Sequence, residues 1–225
     1  PKLLPEDGND AAVAAKDVAK SDGNVAVLTI GAALEAAHDL FLARGFADTT
    51  VDAISAASRV PIATVYRLFK TKTAILKRVI DTAVVGDDAP VPLGDRSVVK
   101  DAQAADDPKA MTAAWAHVAR QVFDNTAALR LVLRVAAALD TQAAALQDSI
   151  EDQRRVGQAR VARALADKGF LAPGLKEAEA RDIVYALMSI DTYRILRLEQ
   201  CWSGARYERW LANALYRLLV APIEI

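Results

Sequence analysis

An all-α protein is what this sequence predicts, on three observations. Hydrophobic residues make up 53% of the chain but aromatics only 6%, because much of the apolar content is alanine, the best helix former. Stretches of Val, Ile, Thr and aromatics, which favour strands, are scarce. Apolar residues recur at three- and four-residue steps, punctuated by clusters of proline and glycine. The expected architecture is an N-terminal three-helix unit followed by a larger C-terminal helical domain.

Residues 1–23 mix Pro1, Pro5, Gly8 and Gly23 with acids, lysines and alanines and read as a flexible N-terminal arm. A first helix is expected from about Val27 to Ala43, where Ile30, Leu34, Ala37 and Phe41 form one apolar stripe. Gly31 within it costs up to ~1 kcal/mol relative to alanine, which suggests a close packing neighbour. Gly45 supplies a left-handed cap, and Phe46 turns into the core. Asp48, Thr49 and Thr50 offer capping side chains for a second helix, about Val51 to Ser58, with Ile54 and Ala57 facing inward. Pro61 opens a third helix that runs to about Phe69, since its missing N–H does no harm at a first helical position. Thr71 and Thr73 are candidate caps for a fourth helix built on Ile75, Leu76, Val79 and Ile80. Gly86, Pro90, Pro92 and Gly94 then break the pattern and mark a boundary between domains at 24–85 and 95–225. Beyond it the helices are expected at about 109–125, 127–138, 140–168, 176–199 and 205–220.

The formal net charge is −1, yet the stretch from Asn24 to Val84 holds seven basic residues against five acids. Five of those bases lie between Arg67 and Arg78, a local excess that points toward a polyanion. Cys201 is the single cysteine, so no internal disulfide can form and a reducing compartment suits the chain. No signal-peptide pattern and no membrane-length apolar run is visible, so a soluble, cytoplasmic protein without a membrane partner is expected.

Two short helices joined by a tight turn, with another helix before them, form a head whose third helix fits a major groove of DNA. Thr50 and Thr64 offer hydroxyls, Tyr66 a phenol, and Lys70 and Lys72 ammonium groups, all good phosphate partners. Arg67 can read guanine edges, and Ile62 and Ala63 can touch thymine methyls. The stretches Gly45-Phe46-Ala47-Asp48-Thr49-Thr50-Val51-Asp52-Ala53-Ile54 and Val60-Pro61-Ile62-Ala63-Thr64-Val65-Tyr66-Arg67-Leu68-Phe69-Lys70-Thr71-Lys72 resemble the TetR family of repressors. Cys201-Trp202-Ser203 and Tyr207-Glu208-Arg209-Trp210-Leu211 resemble the "GWS…YERWL" segment of an actinobacterial-type branch of that family.

The resemblance implies a DNA-binding homodimer on a palindromic double-stranded operator, released when a small-molecule effector enters the C-terminal ligand-binding and dimerisation domain. It implies that Thr50, Thr64, Tyr66 and Lys72 hold phosphates, with Ile62, Ala63 and Arg67 toward the bases. The two reading heads of such a dimer stand about 34–36 Å apart, one DNA turn. The chain departs from the family at Arg59, where glycine is frequent, at Leu68, where a polar aromatic ring is common, and before the first helix, where basic residues are often found. Those departures keep a second reading open: a TetR-fold ligand-binding protein with weakened or lost DNA binding.

For the effector, Met111, Trp115, Phe123, Tyr185, Met188 and Tyr193 are candidates as large or adaptable side chains, with His117, Arg134 and Asp191 as conceivable polar anchors. For the dimer interface the candidates are Ile183, Leu187 and Ile190 in one helix and Tyr207, Trp210, Leu211, Leu215 and Leu218 in the last. His38 and His117 have no partner at metal-ligand spacing, and no nucleophile–base pair or glycine-rich phosphate loop is present, so neither a metal, a cofactor nor an enzyme is expected.

Overall fold

The computed structural model describes residues 27–86 and 92–221; the expected arm at 1–23 lies outside them. Among the described residues the regular structure is entirely helical. Helix α1 spans 27–44, followed by α2 (Val51–Ser58), α3 (Ile62–Phe69) and α4 (Lys72–Val85). A single turn at Leu93–Asp95 leads to α5 (Ser97–Ala104), α6 (Pro108–Ala137), α7 (Thr141–Asp167) and α8 (Glu177–Leu187). The short α9 (Ile190–Tyr193) runs on into a wider π-helical stretch, Arg194–Glu199, before α10 (Gly204–Leu219) closes the body.

The first four helices follow the periodicity. Gly45 takes φ +76° and ends α1, and Phe46 stacks on Phe41 at 5.9 Å between ring centroids. Thr50 caps α2 by accepting from the Ala53 N–H, and Thr71 caps α4 by accepting from the Ala74 N–H. Phe41, Ile54, Val65, Ile75 and Leu76 fill the core of this head. Two expectations fail. Ala57 is exposed rather than inward, because α2 turns only its Val51–Ile54 side to the core. A Cβ built on Gly31 meets nothing within 4 Å, so no close neighbour among the described residues requires that glycine.

In the body the number of helices changes. The break expected near residue 126 is absent, and α6 is one helix of 30 residues. Thr126 does not interrupt it, since its hydroxyl is buried and donates back to the Val122 carbonyl at 2.7 Å. Conversely, the stretch expected to be continuous over 176–199 breaks at Met188–Ser189, where the Ser189 hydroxyl caps α9. Helix α5, not anticipated, packs on α6 through Val99 and Ala102.

Head and body are not separate globules. Leu129, Leu133 and Ala136 of α6, with Ala143 and Leu146 of α7, belong to the same apolar cluster as α1–α4. The α6–α7 hairpin therefore inserts its tip beneath the head, and α4 packs along α6.

Candidate functional site

Helix α3 has one inward side and one open side. Val65 is fully buried, with Leu68 and Phe69 half-buried beside it. Ile62, Ala63, Tyr66, Arg67 and Lys70 are all exposed and share the opposite side at spacings of one and four residues. Tyr66 is 48% exposed and Ile62 37%, apolar area that the head leaves to solvent. Thr64 is half-buried at the margin of this face.

The turn that positions α3 is held by the hydroxyls of Ser55 and Ser58, which sequence reading passed over. Ser55 donates to the Val60 carbonyl at 2.7 Å, and Ser58 donates to the Ile54 carbonyl and accepts from the Val60 N–H. Thr49, buried, donates to the Gly45 carbonyl at 2.7 Å and ties the end of α1 to the start of α2. Each is a short-range hydroxyl bond, indistinguishable in sequence from an ordinary capping residue. They hold Arg59 at φ 58°, ψ 20°, a left-handed conformation costly for a residue with a Cβ. At the other end of α3, Lys70 has φ 65°, ψ −47°, and the Thr71 N–H donates to the Phe69 carbonyl at 2.8 Å. That three-residue γ-turn is a rare and strained one. The recognition-like helix is thus bracketed by two basic residues in disfavoured backbone, a strain that surrounding bonds must over-determine.

Lys72 is placed otherwise than a free phosphate clamp. Its ammonium donates to the Phe46 carbonyl at 2.6 Å and the Ala47 carbonyl at 3.3 Å, and lies 4.2 Å from the Phe46 ring centroid. Burial lowers its pKa, against the pull of Asp140 and Asp48. Two of its three donors hold α4 against the α1–α2 corner.

The body contains a cavity of about 1230 Å³ between α4, the 92–94 segment, α6 and α7. Of the candidate effector residues, Trp115, Phe123 and Met188 line it. Met111 and Tyr193 do not, being packed in the body core, and His117 faces Glu208 at 3.2 Å on the outer side of α6. Tyr185 lies outside the lining too, its ring under the Arg154 guanidinium at 3.7 Å and its hydroxyl donating to Glu151. Arg134 and Asp191 pair with each other at 2.7 Å, away from the cavity. The lining residues missed include the buried polar groups Arg130, Arg154 and Gln158. Arg130 and Arg154 both bind Glu151, and Gln158 donates to the Met188 carbonyl at 2.5 Å. Burial raises the Glu151 pKa, but the hydrogen bond and charge of Arg154, then Arg130 and the Tyr185 hydroxyl, outweigh it and hold the carboxyl below its ordinary range.

The dimer candidates divide. Tyr207, Leu211 and Leu215 are completely buried within the chain and Ile190 nearly so, because α10 lies along α6 and turns its apolar stripe to the body core. They offer no surface to a partner. Ile183, Leu187 and Trp210 are half-buried, and Leu218 is exposed, as are Ile195 and Leu198 on the π-helical stretch. The Trp202–Trp210–Tyr207–Tyr193–Phe123 chain of ring contacts closes the body. Cys201, exposed, has φ 52°, and the resemblance puts glycine there.

Among the described residues no helix is long and apolar enough to cross a membrane, and no group of His, Cys, Asp or Glu is arranged to hold a metal.

A three-helix head whose α2–turn–α3 unit leaves one side of α3 open defines a helix-turn-helix protein. Residues 33–79, most of the head, match the family model described as bacterial regulatory proteins, tetR family. Solved structures share the fold over most of their length. NalD, the secondary repressor of the MexAB-OprM multidrug efflux pump in Pseudomonas aeruginosa, is 18% identical with a TM-score of 0.63, covering 85% of this chain and 96% of its own. The fatty acid degradation regulator FadR from Bacillus halodurans is 14% identical with a TM-score of 0.62, covering 83% and 93%. A proposed transcriptional regulator from Saccharomonospora viridis, solved in complex with choline, is 16% identical with a TM-score of 0.63, covering 85% and 97%. At such identities the likeness establishes fold alone. No curated protein sequence matches the chain at a significant level.

Proposed function

We propose that this protein is a cytoplasmic, non-enzymatic repressor that binds palindromic operator DNA as a homodimer and is controlled by a small molecule in the α6–α7 cavity. One observation carries the reading: α4 belongs to both sites. It starts at Lys72, directly after the γ-turn that ends α3, and its second half, Lys77, Asp81, Val84 and Val85, lines the cavity. An occupant that displaces this wall tilts α4 and with it α3, so a ligand with different affinity for the two positions shifts DNA binding. In the proposed complex Ile62, Ala63 and Arg67 face bases, while Thr50, Thr64, Tyr66 and Lys70 hold phosphates. Lys72 keeps one donor for a phosphate while its others set α4. The open, hydrogen-bonding side of α3 favours this over a reading in which DNA binding is lost. The partner surface is assigned to the outer sides of the 177–199 segment and α10, with Ile195, Leu198 and Leu218 in place of the residues buried in the core.

The decisive trial is binding to DNA upstream of the protein's own gene, titrated with salt. Affinity for one palindrome should fall steeply as salt rises, as release of several counterions requires. No salt-sensitive preference for any palindrome there defeats the repressor reading.

A further inference from the structure

The cavity has a chemical polarity of its own. At one end Arg130 and Arg154, their side chains each only 11% exposed, share the single carboxylate of Glu151. Two guanidiniums against one carboxylate leave a net buried positive charge, which costs free energy until an anion neutralises it. The other acids on the lining, Asp148 and Asp152, are exposed at the mouth, where water screens them, and Asp81 is paired with Lys77 at 2.5 Å. At the other end stands Trp115, 95% buried by its relative exposure of 5%, whose indole N–H is buried without a partner among the described residues. Trp115 and Arg130 lie fifteen residues apart on the straight run of α6, about 22 Å of helix. Between them the α6 side of the wall is apolar, with Val118, Ala119, Val122 and Phe123, while α7 adds Val161 beside the polar Gln158 and Arg160.

Resting on the reading of this cavity as the effector site, we propose that its ligand is an elongated amphipathic organic anion. The anionic head sits on Arg130 and Arg154, and the apolar body runs along α6 toward Trp115. Head and body each answer a feature of the cavity: the excess guanidinium charge, and the apolar face that α6 turns to it. An apolar cation meets the arginines with like charge and is disfavoured.

Three probes of equal chain length separate the possibilities by calorimetry on the whole protein, below micelle-forming concentrations: dodecanoate, dodecanol and dodecyltrimethylammonium. Dodecanoate should bind at least tenfold more tightly than dodecanol, and the ammonium more weakly than either. Arg130→Met, which leaves Glu151 paired with Arg154, should reduce the preference for acid over alcohol to under threefold while leaving dodecanol affinity unchanged. Trp115→Phe should bind dodecanoate yet lose most of the change in tryptophan emission, as the indole lies where the tail ends. Equal or tighter binding of the alcohol or the ammonium overturns the anion assignment and leaves the cavity as effector site. Absence of heat at two temperatures, together with no change in tryptophan emission, for all three probes overturns both.

Discussion

The open face of α3 is drawn from one helical stretch, residues 62–70, whereas the polar groups of the cavity come from Arg130 on α6, Arg154 and Gln158 on α7 and the carbonyl of Met188 beyond α8. The first is set by helical periodicity and exposed by default. The second exists only once α6, α7 and the α8–α9 break are packed together. The head is therefore specified by local pattern, and the body's chemistry by tertiary assembly. The two also differ in how they tolerate change. Substitutions on the open side of α3 touch exposed side chains and cost the fold little, while substitutions in the lining disturb a buried charge network.

The strongest challenge to that contrast is the double variant Tyr66→Ala/Arg67→Ala. Operator affinity should drop by roughly two to four orders of magnitude, on about 1–3 kcal/mol for each base or phosphate interaction removed. The salt slope should fall by about one for each phosphate no longer neutralised. Thermal stability should be unchanged, since both side chains are exposed. Electrophoretic mobility shifts across a salt series, paired with thermal melts, measure both. A large loss of stability would mean that α3 is not an independent face.

Next in size is Leu133→Ala. Leu133 is 2% exposed and sits in the cluster that α6 shares with the head. A cavity there should cost about 2–5 kcal/mol. The loss should appear as one transition seen both by head-specific hydrogen exchange and by far-ultraviolet dichroism. A head that melts on its own while the body stays folded would show that the two are separable after all.

The same division between local and long-range determinants separates what is legible in the sequence from what is not. Much of the head can be read, from the Gly45 and Thr71 caps to the exposed side of α3, because those features depend on residues within a turn or two; the bond of Lys72 to the Phe46 carbonyl, 26 residues away, cannot. The body is misread wherever a long-range interaction decides the outcome. Tyr207, Leu211 and Leu215 form a stripe suited equally to a partner or to the chain's own core, and only the packing of α10 on α6 selects the latter. Arg130 and Arg154 look like ordinary helix-surface arginines, since nothing in the spacing shows that Glu151 is shared or that Trp115 is on the same cavity. The helix boundary expected near residue 126 is absent, and the back-bond of Thr126 to Val122 that fits it into α6 is invisible in sequence.

A smaller effect tests the charge network directly. Glu151→Gln should destabilise the protein by about 1–2 kcal/mol near neutral pH, less than full loss of a buried pair because the amide still accepts a hydrogen bond and Glu151 is partly exposed. Glu151 has its folded pKa lowered, so its contribution is complete above the unfolded value of about 4.3 and fades as pH falls through the folded one. The stability gap between wild type and variant should therefore be constant from pH 7 to about 5 and close below that. Chemical denaturation at several pH values reads it. A gap that widens toward acid would reverse the sign assigned to this carboxylate.

The smallest effect separates strain from charge at two positions where the family resemblance places glycine and this chain does not. Arg59 in the head and Cys201 in the body both hold positive φ, 58° and 52°. Glycine at either relieves about 1–2 kcal/mol of left-handed strain but adds freedom to the unfolded chain worth about 0.4–1 kcal/mol, so each substitution should stabilise by about 0–1.6 kcal/mol. For stability the two sites are equivalent. For DNA they are not, because only Arg59 stands in the turn beside α3, with an exposed guanidinium able to reach a phosphate. Cys201→Gly should leave operator binding and its salt slope untouched. Arg59→Gly should weaken binding and lower the slope by about one, and Arg59→Lys should recover the slope without relieving the strain. If Arg59→Gly binds DNA as well as the wild type, the strained arginine has no role at the DNA, and the head's departure from glycine is a cost to stability without a functional return.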